Sequence, residues 1–386
     1  MTVKEFAAKY EDYIIQMRHE FHKIPEVSMQ EYETSKKIAE ELDKMGVEYR
    51  RCGAETGWLA TIGGKKPGKC VLLRADMDGL SVTEQTGLPY TSEHVGMMHA
   101  CGHDCHIASL LTTAKILKDM EDELNGTVKL AFQPGEEVAQ GAKAMVADGA
   151  LEGVDACMSM HTWGGVRAGV MAINPGEIMA SCGQFKITVT GKGSHGSLPH
   201  CGVDAAVVAA AILNNLQTII SRENCATDPG VVTVGRMVAG ERWNVLAASA
   251  VLEGTTRAFS PEVSKKFGEQ IKRIAEMTAE AYRAKAEVEY KNLTTPVVND
   301  PEVTKICRQA AAKIIGEENL VSIGKIMGAE DFCFFMAPES NVPGVQTFIG
   351  SGCEFANHHP GFVAEDSTLI DGAAVYAQFA VDFLNQ

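Results

Sequence analysis

No stretch of about eighteen unbroken apolar residues, the length a helix needs to cross a bilayer, occurs in the 386-residue sequence, so no membrane-spanning segment is expected. An apolar leader is also missing. The opening MTVKEFAAKYEDY carries charges where a secretory signal needs an apolar stretch, which points to a cytoplasmic protein. Basic charge is scarce as well: 35 Lys and Arg against 50 Asp and Glu leave a net charge of −15. That balance excludes a nucleic-acid surface, which needs a basic face to displace counterions from phosphates. Internal repeats and low-complexity tracts are absent. The eleven cysteines are odd in number and scattered from Cys52 to Cys353 without a repeated spacing, so they suit reduced thiols rather than a disulfide framework.

What is present is ordinary globular material, 45% hydrophobic and 22% charged, in a chain long enough for two domains. Helical periodicity runs over 3–22 and again over 34–45, beyond the breaker Ile24-Pro25. Short apolar runs at 69–74, 127–132 and 156–160 are bounded by Gly or Asp and alternate with helical stretches. This rhythm predicts an α/β layer with a mostly parallel central sheet. From residue 183 the rhythm changes to strand 184–190, helix 203–220, strand 231–238, strand 248–257, helix 261–281 and strand 287–291. The order βαββαβ is the ferredoxin-like plan, four strands with two helices on one face. The α/β pattern then resumes, with helices at 301–315 and 367–383. The expected organisation is therefore a discontinuous domain of residues 1–182 and 293–386 with an inserted domain of residues 183–292.

The densest chemistry lies in His99-Ala-Cys-Gly-His103-Asp-Cys-His106. Three imidazoles and two thiols in eight positions offer borderline and soft ligands to a first-row metal. Cys101 and His103, two apart, would diverge on a helix but can meet on a turn that enters one. Gln133-Pro-Gly-Glu136-Glu137 follows a buried-looking strand, where open α/β sheets place their ligands. In such a turn one carboxylate can bind metal while its neighbour faces substrate. Met160-His161 ends the next strand, and Asp76 and Asp78 end the strand before, placed to support ligand histidines or to cap a turn. Ala356-Asn-His358-His359-Pro360 brings two more imidazoles, and spacing does not choose between them. Cys101, His103, Glu137, His161 and His358 together make a set suited to two divalent cations, Zn, Mn, Co or Ni.

Gly191-Lys-Gly193-Ser-His-Gly196 is formally a dinucleotide fingerprint, but Ser-Leu-Pro199-His follows instead of a helix start and no acid stands about twenty residues on. Its glycines better suit a tight loop carrying His195 and His200. Arg257 ends a strand of the inserted domain and has the shape to grip a carboxylate. Asn244 follows Arg242-Trp243 in the same domain.

Taken together, Arg18-His-Glu-Phe-His22-Lys-Ile-Pro-Glu26, Arg74-Ala-Asp-Met-Asp78, His99-Ala-Cys-Gly-His-Asp104, Gln133-Pro-Gly-Glu-Glu137, Gly191-Lys-Gly-Ser-His195, Met327-Gly-Ala-Glu-Asp331 and His358-His-Pro360 span essentially the whole chain. In that order they resemble the M20 metallopeptidases, within them the amidohydrolase branch of hippurate hydrolases, N-acetyldiaminopimelate deacetylases and auxin-conjugate hydrolases. The resemblance implies that Cys101 bridges two metals, that His103, Glu137, His161 and His358 complete the set, and that Glu136 is the general base. It implies that His195, in an inserted lid and dimerisation domain, reaches across a homodimer or homotetramer to the developing oxyanion. Arg257, Asn244, His200 and Glu330 would contact substrate, and Asp76, Asp78 and Asp104 would support the ligands. The implied reaction is hydrolysis of the amide in a small N-acyl amino acid. A dipeptidase or exopeptidase and a non-catalytic conjugate-binding protein are the rival readings.

Overall fold

In the computed structural model, which describes residues 1–386, the chain runs α1 (Val3–Ala7), α2 (Glu11–His22), α3 (Tyr32–Met45), β1 (Glu48–Arg51), β2 (Trp58–Gly63), β3 (Lys69–Asp76), α4 (His103–Asp119), β4 (Gly126–Gln133), α5 (Gly141–Ala147) and β5 (Ala156–Trp163). It continues β6 (Met171–Ala172), β7 (Gly176–Met179), β8 (Cys182–Thr190), α6 (Ala205–Thr218), β9 (Gly230–Ala239), β10 (Ser249–Ala258), α7 (Pro261–Ala281), β11 (Lys285–Thr294), β12 (Val297–Asn299), α8 (Pro301–Ile315), β13 (Leu320–Val321), β14 (Gly344–Gly350) and α9 (Leu369–Leu384). Two compact units result: Met1–Gly176 with Val298–Gly324 and Asp331–Gln386, and Glu177–Val297 with Lys325–Glu330. The division falls at 176/177 and 297/298 rather than at 182/183 and 292/293, and the short segment ending at Glu330 goes with the second unit.

The first unit is built on an eight-stranded sheet in the order β1-β2-β4-β3-β5-β14-β6-β13. Its centre, β4-β3-β5-β14, is parallel throughout. These strands are nearly continuous buried runs because helices cover both faces. Leu73, Leu130 and Met158 pack with α2, α4, α8 and α9 on one face, while Leu72, Ala131 and Cys157 pack with α5 and Phe332 on the other. The helical stretch expected over 3–22 is broken by a 3₁₀ turn at Ala8–Tyr10. Asp300 caps α8 by accepting the N–H groups of Glu302 and Val303, with Pro301 at the first helical position, where its missing N–H costs nothing.

The second unit is a four-stranded antiparallel sheet in the order β11-β8-β10-β9. Alternation along β8 puts Phe185, Ile187 and Val189 inward, against Val208 and Ile212 of α6 and Phe267 and Ile271 of α7. Ala205–Glu223 is long and apolar enough, by composition, to cross a membrane. Here its apolar face packs on this sheet, through Val208, Ala209, Ile212 and Leu216.

Candidate metal centre

Parallel β3, β4, β5 and β14 deliver their C-terminal ends to one edge of the first unit's sheet, the edge where such sheets bind ligands. Asp76 ends β3, the Glu136-Glu137 turn follows β4, His161 lies near the end of β5, and the loop beyond β14 carries His358. Gly102, at φ 88°, lets the chain turn between Cys101 and His103, the first residue of α4. Cys101 thereby stays on the loop while His103 enters the helix, and both side chains reach one cluster.

Ligand atoms of Cys101, His103 and His161 lie within 4.8 Å of one another, as do those of Cys101, Glu137 and His358, and those of His103, Glu136 and Glu137. Cys101 belongs to two of these groups. Its Sγ is 3.4 Å from His161 Nε2 and 3.3 Å from His358 Nε2. His358 Nε2 is also 3.4 Å from Glu137 Oε1. His359 turns elsewhere: it stacks on Phe355 at 4.2 Å and its Nδ1 accepts the Gly361 N–H. His358 is held in the left-handed region at φ 70°, a conformation that costs a non-glycine residue, and its N–H donates to the Ala100 carbonyl at 2.8 Å.

The groups around this cluster are themselves hydrogen-bonded. His103 Nδ1 donates to the Asp78 carbonyl at 2.8 Å and His161 Nδ1 to the Thr162 carbonyl at 2.7 Å. Each imidazole thus commits Nδ1 to a carbonyl and leaves Nε2 as the nitrogen available to a cation. The Asp78 carboxylate accepts the N–H groups of Glu136 and Glu137 at 3.2 and 3.1 Å and the Ser28 hydroxyl at 2.6 Å. Asp104 accepts from Arg18 Nε at 3.0 Å and faces His22 Nδ1 at 2.7 Å.

The residues present fit divalent cations. His103 Nε2 and Glu137 Oε1 are buried without a hydrogen bond, an arrangement folded proteins avoid unless something else satisfies the atom. Burial, reinforced by Glu137 and Glu136, pushes the Cys101 thiol well above its usual range; a bound cation reverses that and favours the thiolate. Burial alone would lower the His103 pKa, yet Asp76 and then Asp78 raise it to about 10, so the pocket's field attracts positive charge. Burial and neighbouring His106 hold His161 well below the usual imidazole range, leaving a lone pair to donate. Asp76 stays ionised although burial opposes it, because Arg74, His103 and His106 surround it.

Of the three imidazoles in the 99–106 segment, only His103 meets Cys101. His99 sits beside His22, ring centroids 6.5 Å apart, and burial takes its pKa down to about 4. His106 spends both nitrogens on Asp76 and the Thr162 N–H. Sequence reasoning missed Asn357, which donates to the carbonyls of Cys101 and Thr162, both at 3.0 Å, and accepts the Gly164 N–H. It also missed Arg74, buried between Asp76 and Asp331. Distance along the chain hides the Asp331 partner of Arg74 and the partners of Asn357, though Asn357 beside the His pair was a signal.

His195, His200, Asn244 and Arg257 lie in the second unit. His195 Nδ1 accepts the Ser197 N–H at 3.1 Å, so its proton sits on Nε2, on an exposed side chain. Asn244 follows closely in space, its carbonyl accepting the Gly196 N–H at 2.9 Å, while its side-chain Oδ1 is buried without a hydrogen bond. His200 is exposed in a 3₁₀ turn. Arg257 Nη1 donates to Thr255 Oγ1 and the Thr256 carbonyl. Glu330 is buried at the end of the short segment that joins this unit.

With this geometry in view, residues 72–382 match the Peptidase family M20/M25/M40. N-acetyl-L-cysteine deacetylase of Bacillus subtilis (strain 168) is 36% identical over 360 residues, 93% of this chain and 85% of that protein. Thermostable carboxypeptidase 1 of Saccharolobus solfataricus is 37% identical over 393 residues, 100% of this chain and 98% of that one. Among solved structures, the Bacillus subtilis YXEP protein, a dinuclear metal binding peptidase from the M20 family, superposes with a TM-score of 0.86 at 34% identity, covering 98% of this chain and 99% of that one. The chain belongs to peptidase family M20/M25/M40.

Proposed function

We propose that this protein hydrolyses the amide bond of N-acyl amino acids, consuming one water and releasing a carboxylic acid and a free amino acid. The observation that carries this is Cys101, a buried thiol shared by two ligand groups, beside a turn whose second acid, Glu136, stands next to Glu137. Cys101, His103, Glu137, His161 and His358 would hold two divalent ions, and Asp76, Asp78 and Asp104 would keep those ligands in place. Such ions, when bound, lower the pKa of water and polarise a carbonyl.

Glu136 is the general base in this reading. Its carboxylate takes a proton from the attacking water and delivers it to the leaving nitrogen, a task that needs reach rather than an extreme pKa. The backbone of the turn that carries it is held by Asp78. His195, protonated on Nε2, is a hydrogen-bond donor for the tetrahedral oxyanion, a role often worth about 10²–10³ in rate; we assign it to the site of a second copy in a homodimer or homotetramer. Arg257 would grip the substrate carboxylate, with Asn244, His200 and Glu330 as further contacts. The residues 183–292 would form the lid. Eleven unpaired cysteines support a reducing, cytoplasmic location.

The name of the deacetylase relative supports the N-acyl reading, and that of the carboxypeptidase supports an exopeptidase acting through the same residues. A panel of N-acetyl amino acids, N-benzoyl amino acids and dipeptides separates the two. Faster turnover of the N-acyl compounds is expected. Exclusive cleavage of dipeptides would replace this reading with the exopeptidase, and no cleavage of any would favour a binding protein.

A further inference from the structure

Strands β3 and β5 are paired in parallel only as far as Arg74 and Ser159. Beyond that point they carry Asp76 and His161 without a ladder between them, and two side chains from helices fill the fork. Tyr376 of α9 donates its hydroxyl to the Arg74 carbonyl at 2.8 Å and accepts the Met160 N–H at 2.7 Å. One step nearer the centre, His106 of α4 reaches Asp76 Oδ1 through Nδ1 at 2.5 Å and accepts the Thr162 N–H on Nε2 at 2.8 Å. Both side chains are buried. Each links a group on β3 to a backbone N–H on β5, where a sheet would otherwise use its own hydrogen bonds.

The His106 contacts fix its protonation pattern. An amide N–H can only donate, so Nε2 offers a lone pair and the ring proton sits on Nδ1, facing the carboxylate. Asp76 is itself anchored by Arg74, which is fastened to Asp331 Oδ1 at 2.9 Å and to Gln133 Oε1 at 2.8 Å. A continuous buried chain therefore runs from Asp331 through Arg74, Asp76 and His106 to the peptide that follows His161. Ligand atoms of Asp76, His103 and His106 do lie within 4.8 Å of one another, but both His106 nitrogens are already committed.

We propose that His106 is a positioning residue and not a metal ligand: a rigid spacer between β3 and β5 that sets His161 against Cys101. This rests on the two-metal reading above. An imidazole has no torsion between its two nitrogens, so the separation of Asp76 from the Thr162 peptide is fixed once both hydrogen bonds form. On its other side the end of β5 is laddered to β14 as far as Trp163, so a flexible side chain at 106 would loosen the spacing of β5 from β3, and ligand placement with it. Support of this kind typically alters metal affinity by about 10–100-fold.

The test uses the full-length protein, ¹⁵N-labelled at histidine and titrated with ¹¹³Cd²⁺. His106 is expected to show the Nδ1–H tautomer before and after cadmium and no ¹¹³Cd–¹⁵N coupling, while His103 and His161 couple through Nε2. Coupling at His106, or a proton on its Nε2, overturns the proposal. Cadmium coupling to no histidine at all would overturn the metal reading and remove the ligand whose position His106 is said to set.

Two variants add a second readout. His106→Gln keeps one donor and one acceptor, and His106→Leu keeps neither. Calorimetric titration with Cd²⁺ should show the Leu variant binding about 10–100-fold more weakly, with a shifted thiolate-to-cadmium absorption band and recovery of part of the affinity in the Gln variant. Unchanged affinity and absorption in a folded Leu variant contradict the proposal. Should the Leu variant not fold, a Gln variant with an affinity no better than that of His106→Ala does the same.

Discussion

Asp78 Oδ1 accepts the backbone N–H of Glu136 at 3.2 Å. The general-base candidate is thus positioned through its main chain, and the contact does not depend on its side-chain charge. Glu136→Gln should therefore keep the turn, Glu137 and the bound metal, while kcat falls by about 10²–10⁴. Metal analysis alongside steady-state kinetics checks this, and near-normal turnover would remove the assignment.

His195 presents Nε2–H from an exposed loop of the second unit. If a second copy supplies this donor, Glu136→Gln and His195→Ala protomers, each inactive alone, should recover activity when mixed and allowed to exchange. A mixed species has one site with both groups intact. Absence of recovery in a verified mixed oligomer would place His195 and Glu136 of one chain in one site.

Arg74 is fully buried between Asp76 and Asp331. Replacing it with Met leaves two carboxylates in the interior without their cation, and removal of one member of such a group typically costs about 3–5 kcal/mol. Urea unfolding of Arg74→Met should show a loss of that order. A change under about 1 kcal/mol would mean that the interior tolerates these acids unpaired, against the usual penalty.

Burial alone would lower the His22 pKa, but Asp104 and Glu84 raise it to about 9 against an ordinary 6.5. A group whose folded pKa is raised stabilises the fold fully below its unfolded value and loses that contribution as pH climbs through the folded one. Asp104, held well below its ordinary 3.8 by His22 and Arg18 despite burial, acts in the opposite sense: its contribution is present above that value and lost in acid. The stability gap between the wild type and His22→Gln should therefore be widest from about pH 4 to 6.5 and shrink as pH rises through about 9. Thermal melts across that span test it, and a gap that does not change with pH would contradict it.

Much of this architecture was legible because it follows from local pattern. The ends of α7 and α8 are written in Ser260-Pro261 and Asp300-Pro301, each a capping side chain before a proline. The candidate ligand cluster was legible because His, Cys and paired Glu gather at strand ends, and Cys101, His103, Glu137, His161 and His358 do fall into groups with their ligand atoms close together. What stayed hidden was non-local. β14 reads Gly-Val-Gln-Thr-Phe-Ile-Gly, too polar for an apolar run, yet it is wholly buried, paired in parallel with β5 and with the Gln346 backbone held by Asn299 at both N–H and carbonyl. β1 is a short, mostly exposed strand of charged residues that owes its existence to pairing with β2. Asn357, Tyr376 and Arg74 act on partners up to 302 residues away, and no periodicity encodes such a contact.

Metal content measured against turnover tests the central claim most directly. Exhaustive chelation of the purified protein should abolish amide hydrolysis, and adding back Zn²⁺, Mn²⁺, Co²⁺ or Ni²⁺ should restore it with a stoichiometry of two ions per chain, falling in Cys101→Ala. Full turnover by protein shown to be free of metal, or unaltered stoichiometry without the Cys101 thiol, would contradict it.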